Sequence, residues 1–248
     1  KWARSERHWG PEDKDYYYKR YKADGSAVIE SIPRNESALL DVRAGTSQVF
    51  VNQVIAELST YPRPVIEAMR EGGVKIVLTP HLVNYDPTVR SKESRSQPGN
   101  TAVSAAIYYS DKKHIVLSEN YERDGFSYRS PNPGGGLAHE VGHALDSEGM
   151  FTSISDKFNI AFERDLKKLG PADRARFTYI TASADSAHPK QYRIRREEAT
   201  AELTAAALAH KVAGPYTAED LRKTFPESYE AIAEMLRTRR LLRRIEDT

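Results

Sequence analysis

The 248-residue chain contains no cysteine. This absence excludes disulfide scaffolds, cysteine-ligated zinc sites, iron–sulfur clusters and cysteine nucleophiles. No apolar run approaches the roughly 20 residues that a membrane-spanning helix needs. Neither charge dominates, because 37 Lys and Arg face 35 Asp and Glu. We therefore expect no membrane span and no dedicated nucleic-acid binder, and any chemistry must use histidine, carboxylate, hydroxyl or lysine side chains.

Residues 1–45 are rich in charge and aromatic rings and have no sustained period. We interpret them as an N-terminal extension with one short strand near Ala27 to Ile32. Its Trp and Tyr residues predict either a ligand-stacking surface or, the more ordinary alternative, an arm that packs its rings on the main domain. The second predicted unit is one domain over residues 46–248.

Within residues 46–248 the strand signals come before most of the helix signals, which is typical of an α+β fold. Valine, isoleucine and leucine positions from Val49 to Leu58 predict a helix capped by Thr46 or Ser47. A second helix, a buried strand and a hairpin made of residues 105–109 and 114–118 follow. Long loops are predicted over 84–102 and 119–133, and helices near 153–169, 171–182, 196–213 and 226–245.

The segment from Leu137 to Asp146 contains the pattern H-E-x-x-H between apolar residues at helical spacing. His139 and His143 are one turn apart, so both rings project from one helix face and can bind the same metal ion. Glu140 is placed to hydrogen-bond a metal-bound water, whose pKa zinc lowers toward roughly 7, and to take its proton. Gly142 predicts a close approach by a neighbouring strand or ligand.

A catalytic zinc site needs a third protein ligand and an open position. The later candidates are Asp185, His188, Glu197, Glu198, Glu202 and His210. Glu198 and Glu202 lie one turn apart among alanines, so Glu198 could reach the metal while Glu202 accepts the free ring N–H of a ligating histidine. The alternative is a solvated acidic face; the H-E-x-x-H pattern favours the ligand interpretation. Asp146 is a further candidate acceptor.

The run from His139 to Asp146, together with Glu198-Ala199-Thr200-Ala201-Glu202, resembles the signature of the anthrax lethal factor-like metallopeptidases. These are gluzincin zinc proteases whose fold the bacterial Pro-Pro endopeptidases share. The resemblance covers about residues 48–210. It implies a zincin-like α+β fold, in which a small mixed sheet has an edge strand over the H-E-x-x-H helix and the C-terminal half is mostly helical.

The resemblance also implies roles for individual residues. His139, His143 and Glu198 would bind one zinc ion per chain, and Glu140 would be the general base. The family has an oxyanion-stabilising tyrosine about two turns before the ligand glutamate; Tyr192 is the preferred candidate here and Tyr179 the second. An extended peptide would add as a strand to the hairpin strand His114 to Ser118, which we expect to be a sheet edge.

We therefore expect residues 46–248 to be the catalytic domain of a zinc-dependent endopeptidase acting on protein or peptide substrates. We expect a monomeric protein that is secreted, or delivered into a target cell as a toxin or effector. Two alternatives stay open: a catalytically silent lethal factor-like binding module of a larger toxin, and a structural zinc protein. Structural sites are usually closed and often contain cysteine, which disfavours the second alternative.

Overall fold

The computed structural model describes residues 2–9, 16–22, 27–31, 39–91, 105–123, 126–147, 153, 155–181, 189–209 and 211–241. The chain divides into two compact units, Lys1–Leu40 and Asp41–Thr248. None of the helices in these ranges is long and apolar enough to cross a membrane.

The first unit contains a three-stranded antiparallel sheet in the order β1-β2-β3. Its strands are β1 (Trp2–Trp9), β2 (Tyr16–Lys22) and β3 (Ala27–Ser31). The sequence analysis expected one short strand here and therefore missed β1 and β2. Their charged and aromatic residues do not alternate with apolar ones, so the period-2 signal that predicts a strand is absent.

The second unit is built on a mixed sheet in the order β4-β5-β7-β6, with β8 also paired to β7. Strands β5 and β7 are parallel, whereas β6 and β8 are both antiparallel to β7. The elements up to the last strand are β4 (Leu40–Val42), α1 (Gln48–Leu58), α2 (Arg63–Glu71), β5 (Lys75–His81), α3 (Leu82–Tyr85), a 3-10 turn (Pro87–Ser91), β6 (Ala106–Tyr109), β7 (His114–Arg123) and β8 (Phe126–Arg129).

The C-terminal part is helical. Its elements are α4 (Pro133–Leu145), α5 (Asp156–Lys168), α6 (Pro171–Arg176), α7 (Thr178–Thr181), α8 (Pro189–Ala209), α9 (Ala218–Thr224) and α10 (Pro226–Thr238). Four buried phenylalanines form its aromatic core: Phe158, Phe162, Phe177 and Phe225. The short helix α9 has no counterpart in the sequence analysis, although Thr217 and Asp220 form a capping box at its start.

Local sequence signals explain most of the element ends in this unit. The Ser47 side chain accepts the Phe50 amide and starts α1, as predicted. Gly73 has a φ of +76°, a left-handed conformation that glycine adopts easily, and it separates α2 from β5. Val49, although it fits the apolar pattern that predicts this helix, is 56% exposed and lies off the face that buries Val51, Val54, Ile55 and Leu58.

Two regions predicted as loops contain regular structure. The region 84–102 includes the end of α3 and the 3-10 turn, whose apolar residues pack on the sheet face formed by Val77 and Val116; residues 92–104 lie outside the described part. In the region 119–133, β7 continues to Arg123 and forms a second hairpin with β8. The β8 residues are exposed and residues 119–122 of β7 are only half-buried, so the segment has no buried apolar run that would predict a strand.

Candidate metal centre and active site

Helix α4 carries the H-E-x-x-H residues and is buried along most of its length. It starts at Pro133, whose missing N–H costs nothing at a first helical position. The Asn132 side chain caps it by accepting the Gly135 amide at 2.9 Å. His139 and His143 therefore lie one turn apart, and their ring centroids are 4.7 Å from each other.

Helix α8 approaches α4 closely at Gly142. A Cβ atom added there would lie 2.5 Å from the carbonyl oxygen of Ala201 and 2.7 Å from its Cα. The expected close approach is therefore made by a helix backbone. It brings Glu198 and Glu202, which lie on either side of Ala201 in sequence, against the histidine face of α4.

His139, His143 and Glu198 form the group that could hold a metal ion among the described residues. The His139 Nε2 atom lies 3.1 Å from His143 Nε2 and 3.1 Å from Glu198 Oε2, and the His143 Nε2 to Glu198 Oε2 distance is 3.6 Å. A tetrahedral ion with bonds of about 2.05 Å holds its ligand atoms about 3.3 Å apart. Two imidazoles and one carboxylate at these distances fit a zinc-type ion with one open position.

Glu202 is completely buried behind the group, with its Oε1 atom 3.2 Å from His139 Nδ1. At that distance the charges interact, although the ring N–H is not well aligned for a regular hydrogen bond. The other carboxylate oxygen accepts the Ala213 amide at 3.4 Å. Glu202 is thus placed to fix the orientation of the His139 ring, as such carboxylates do in metal sites.

The electrostatics of the group favour a cation. Burial disfavours a charged imidazole, but the Glu198 and Glu202 carboxylates close to its two ring nitrogens outweigh burial and raise the pKa of His139 well above its ordinary value. Burial likewise disfavours the Glu198 carboxylate, yet hydrogen bonds from His139 and His143 hold its pKa well below the usual range. Both shifts reflect the negative charge around the imidazoles, which attracts a cation, and a metal ion that binds there must displace the His139 proton.

Glu140 lies on α4 beside the ligands and points to the sheet. Burial is the main factor that raises the pKa of its carboxyl group, and the nearby imidazoles partly oppose it. The backbone N–H of Tyr108 donates a hydrogen bond to this carboxylate. Tyr108 belongs to β6, so the candidate base is held against a strand of the sheet. Sequence reasoning missed this contact, because no pattern shows which backbone amide faces a side chain so distant in sequence.

Among the side chains that the structure describes, the hydroxyl of Tyr179 on α7 contacts the group. Its hydroxyl donates to Glu198 Oε2 at 2.5 Å and lies 3.4 Å from His139 Nε2. Burial, reinforced by the charge of Glu198, raises the pKa of Tyr179 well above its ordinary value, so the hydroxyl keeps its proton. Tyr192, the preferred candidate from sequence, lies on α8, but its side chain is outside the described part.

The remaining candidate ligands are not brought to the group by the described residues. Asp185, His188 and His210 lie outside the described ranges, and Glu197 precedes Glu198 on α8 without joining the cluster. Asp146, expected as an alternative acceptor for an imidazole, instead accepts the Ser153 amide at 3.0 Å. Within the described contacts, the carboxylate behind His139 is Glu202.

The strand segment His114 to Ser118 is not an edge, and that prediction was wrong. It lies in the middle of the sheet, with β5 on one side and β6 on the other. A hairpin pattern identifies two paired strands but not which of them has a second neighbour. The edge strand that packs against α4 is β6.

No family model and no curated protein matches the sequence. Among solved structures, the fold is similar to that of the Pro-Pro endopeptidase from Paenibacillus alvei, with a TM-score of 0.55 over 81% of this chain and 99% of that chain. The two sequences are 19% identical, so the likeness concerns the fold alone. The predicted fold class is confirmed: the chain has a zincin-like α+β fold with a small mixed sheet and a mostly helical C-terminal half. Two histidines of the H-E-x-x-H helix and Glu198 of α8 form the group that could hold a metal ion.

Proposed function

We propose that this protein is a zinc-dependent endopeptidase of the lethal factor-like group. The observation that carries the proposal is the spacing of the three ligand atoms of His139, His143 and Glu198, 3.1–3.6 Å apart, with the buried Glu140 carboxylate beside them. Three nitrogen and oxygen ligands with an adjacent carboxylate are the arrangement of a catalytic site, because a structural zinc ion usually has four protein ligands.

A zinc ion bound by these residues would act as a Lewis acid on a peptide carbonyl and lower the pKa of a coordinated water. Glu140 takes the proton of the attacking water and returns it to the leaving amine. Burial raises the pKa of Glu140, which makes its carboxylate a stronger base. Glu202 keeps the His139 ring in one orientation.

Tyr179 is the tyrosine that we propose as the oxyanion donor in place of Tyr192. Its protonated hydroxyl lies at the ligand cluster, within 3.4 Å of His139 Nε2. A hydrogen-bond donor at this place would stabilise negative charge on the former carbonyl oxygen. We expect Tyr179→Phe to lower kcat by about 10²-fold with little change in KM, whereas Tyr192→Phe should keep nearly full activity. If Tyr192→Phe loses activity and Tyr179→Phe does not, Tyr192 is the oxyanion donor.

The substrate of the proposed enzyme is an extended peptide that lies along β6. Tyr108 on this strand holds Glu140, so a peptide next to β6 passes the candidate base, and strand addition is a common mode of peptide recognition. The structural neighbour is named a Pro-Pro endopeptidase. Proline-containing peptides are therefore the first substrates to test.

Metal analysis and a cleavage assay together test the proposal. The purified protein should contain about one zinc per chain and cleave members of a proline-containing peptide library. Glu140→Ala should retain the zinc and lose about 10²–10⁴-fold in kcat, while Glu198→Ala should lose zinc affinity. If wild-type protein binds zinc but cleaves no peptide, a silent binding module is the better description. If Glu198→Ala binds zinc as tightly as wild type, the proposed ligand set is wrong.

Secretion and a toxin or effector role also belong to the proposal, and they rest on the resemblance of the motif residues to the lethal factor-like peptidases. Immunodetection of the protein in culture supernatant and in cell lysate of the producing organism would test them. Recovery in the lysate alone would argue against secretion.

A further inference from the structure

Strand β8 continues the edge of the sheet that β6 begins. Asn120 of β7 pairs with His81 of β5 and also with Arg129 of β8. A strand residue has one neighbour on each side, so β8 lies on the side of β7 away from β5, which is the side of β6. Both strands run antiparallel to β7. They therefore follow one another in line along a single edge.

Hydrogen bonding shows which backbone groups of β8 point outward. Ser130 donates its amide to the Glu119 carbonyl at 2.8 Å, and in an antiparallel ladder the bonded pairs alternate with non-bonded ones. Tyr128 and Phe126 are thus bonded to β7, while the amides and carbonyls of Ser127 and Arg129 point away from it. No described strand pairs with this outer side of β8.

The same alternation connects this edge to the candidate base. The Ser118 amide bonds to the Ala105 carbonyl, which directs the Tyr108 amide outward, and that amide reaches Glu140. Tyr108 lies opposite Ile115, and Arg129 and Ser127 lie opposite Asn120 and Glu122. At about 3.3 Å per residue, the outward groups of β8 are about 17–23 Å along the edge from Tyr108.

The β7–β8 hairpin is anchored at its base and presents aromatic rings. The Glu119 carboxylate accepts the amide and the hydroxyl of Ser47 at the start of α1, at 2.9 Å and 2.6 Å. Tyr128 stacks on Tyr121 across the hairpin, with centroids 5.6 Å apart, and Phe126 is 65% exposed. An anchored strand loses little conformational entropy when a peptide binds beside it.

We propose that the outer side of β8 is a second binding segment for the substrate polypeptide, five to seven residues away from the scissile bond. The inference rests on the proposed peptidase function. The occupant is the same extended chain that passes along β6 beside Glu140, because the two strands lie in line along one edge. Backbone pairing with Ser127 and Arg129 is independent of the substrate sequence. The exposed ring of the neighbouring Phe126 favours an apolar substrate residue at this place. Long unfolded segments should therefore be better substrates than short peptides.

Proline substitution separates this role from folding. Ser127→Pro removes an amide that faces away from β7, which a sheet edge tolerates, and Ser127→Ala keeps the amide. Reduced, unfolded casein serves as the first probe, and mass spectrometry locates the bonds that zinc-loaded protein cleaves. Two synthetic peptides then cover one such bond, one of about 8 and one of about 20 residues, so that only the longer reaches β8.

We expect wild type and Ser127→Ala to cleave the long peptide with a kcat/KM about tenfold above that of the short one. Ser127→Pro should lose this preference and cleave the short peptide at the wild-type rate, which also shows that it is folded. N-methylation of the long peptide five to seven residues from the cut should lower kcat/KM for wild type. If Ser127→Pro keeps the wild-type ratio of kcat/KM for the long and short peptides and N-methylation has no effect, the inference is wrong, while the peptidase proposal stands. No cleavage of casein by zinc-loaded wild type would refute the peptidase proposal, and the inference with it.

Discussion

Replacing Gly142 by alanine tests whether the contact between α4 and α8 assembles the metal group. The added Cβ would lie 2.5 Å from the Ala201 carbonyl oxygen, 2.7 Å from its Cα and 3.0 Å from its carbonyl carbon. All three are backbone atoms, so no side-chain rotation can relieve the contact. Ordinary van der Waals contact starts near 3.4 Å, and the two helices must therefore separate by almost 1 Å.

Two effects oppose each other in this substitution. Alanine is favoured over glycine inside a helix by about 1 kcal/mol, whereas overpacking a tight interface costs about 1–3 kcal/mol. Because the clash involves helix backbone, the upper part of that range applies. We expect Gly142→Ala to lower the free energy of unfolding by about 1–2 kcal/mol. Displacement of α8 should also move Glu198 and lower zinc affinity at least about tenfold.

Urea denaturation and zinc competition with a chelator measure the two effects. Gly136→Ala is the matched control, because it lies on the same helix and its Cβ would meet only the Ala106 Cβ, at 3.2 Å. This control should change unfolding and zinc affinity little. A Gly142→Ala protein that is more stable than wild type and binds zinc equally well would refute the reasoning, since helix propensity would then outweigh the contact.

The pKa shifts predict the pH dependence of the chelator-treated protein. The pKa of Glu198 is depressed by folding, so its contribution to stability is complete above its ordinary value of 4.5 and is lost as the pH falls. The pKa of His139 is raised, so its contribution is complete below 6.5 and is lost as the pH rises through the raised value. The free energy of unfolding measured by urea titration should thus be greatest near pH 4.5–6.5. In Glu198→Gln, the loss of stability below pH 4.5 should be smaller than in wild type. An equal loss in the two proteins would contradict this prediction. The Asn132 side chain caps α4 by accepting the Gly135 amide, and it donates to the Val212 carbonyl at 3.1 Å. Asn132→Ala should lower the free energy of unfolding by about 1–2 kcal/mol, whereas Asn132→Asp, which keeps the capping oxygen, should lower it clearly less. Equal losses in the two variants would show that capping is unimportant.

Helical signals were easier to interpret than strand signals in this chain. The α1 cap at Ser47 and the H-E-x-x-H helix follow from residues close in sequence, because a helix forms its hydrogen bonds within one segment. Strands β1, β2 and β8 were missed since their residues are charged or exposed, and only pairing with a distant strand makes them regular. The edge position of β6 is likewise a property of the sheet, which no local pattern contains.

The amino-acid sequence alone supplied the chemistry of the proposed site. Without cysteine, a metal site must use imidazole and carboxylate ligands, and the one-turn spacing of His139 and His143 places both on one helix face. The α+β order of the main domain also followed from the pattern of strands and helices. These features are local or compositional, so they can be inferred without knowing the packing.

The tertiary structure decided which distant residues meet. It brought Glu198 to the histidines by packing Ala201 on Gly142 and buried Glu202 behind His139, and it placed Tyr179 at the cluster and the Tyr108 amide on Glu140. These contacts depend on how α4, α7, α8 and β6 pack together. Many residues over the whole domain determine that packing, so no short pattern could have predicted it.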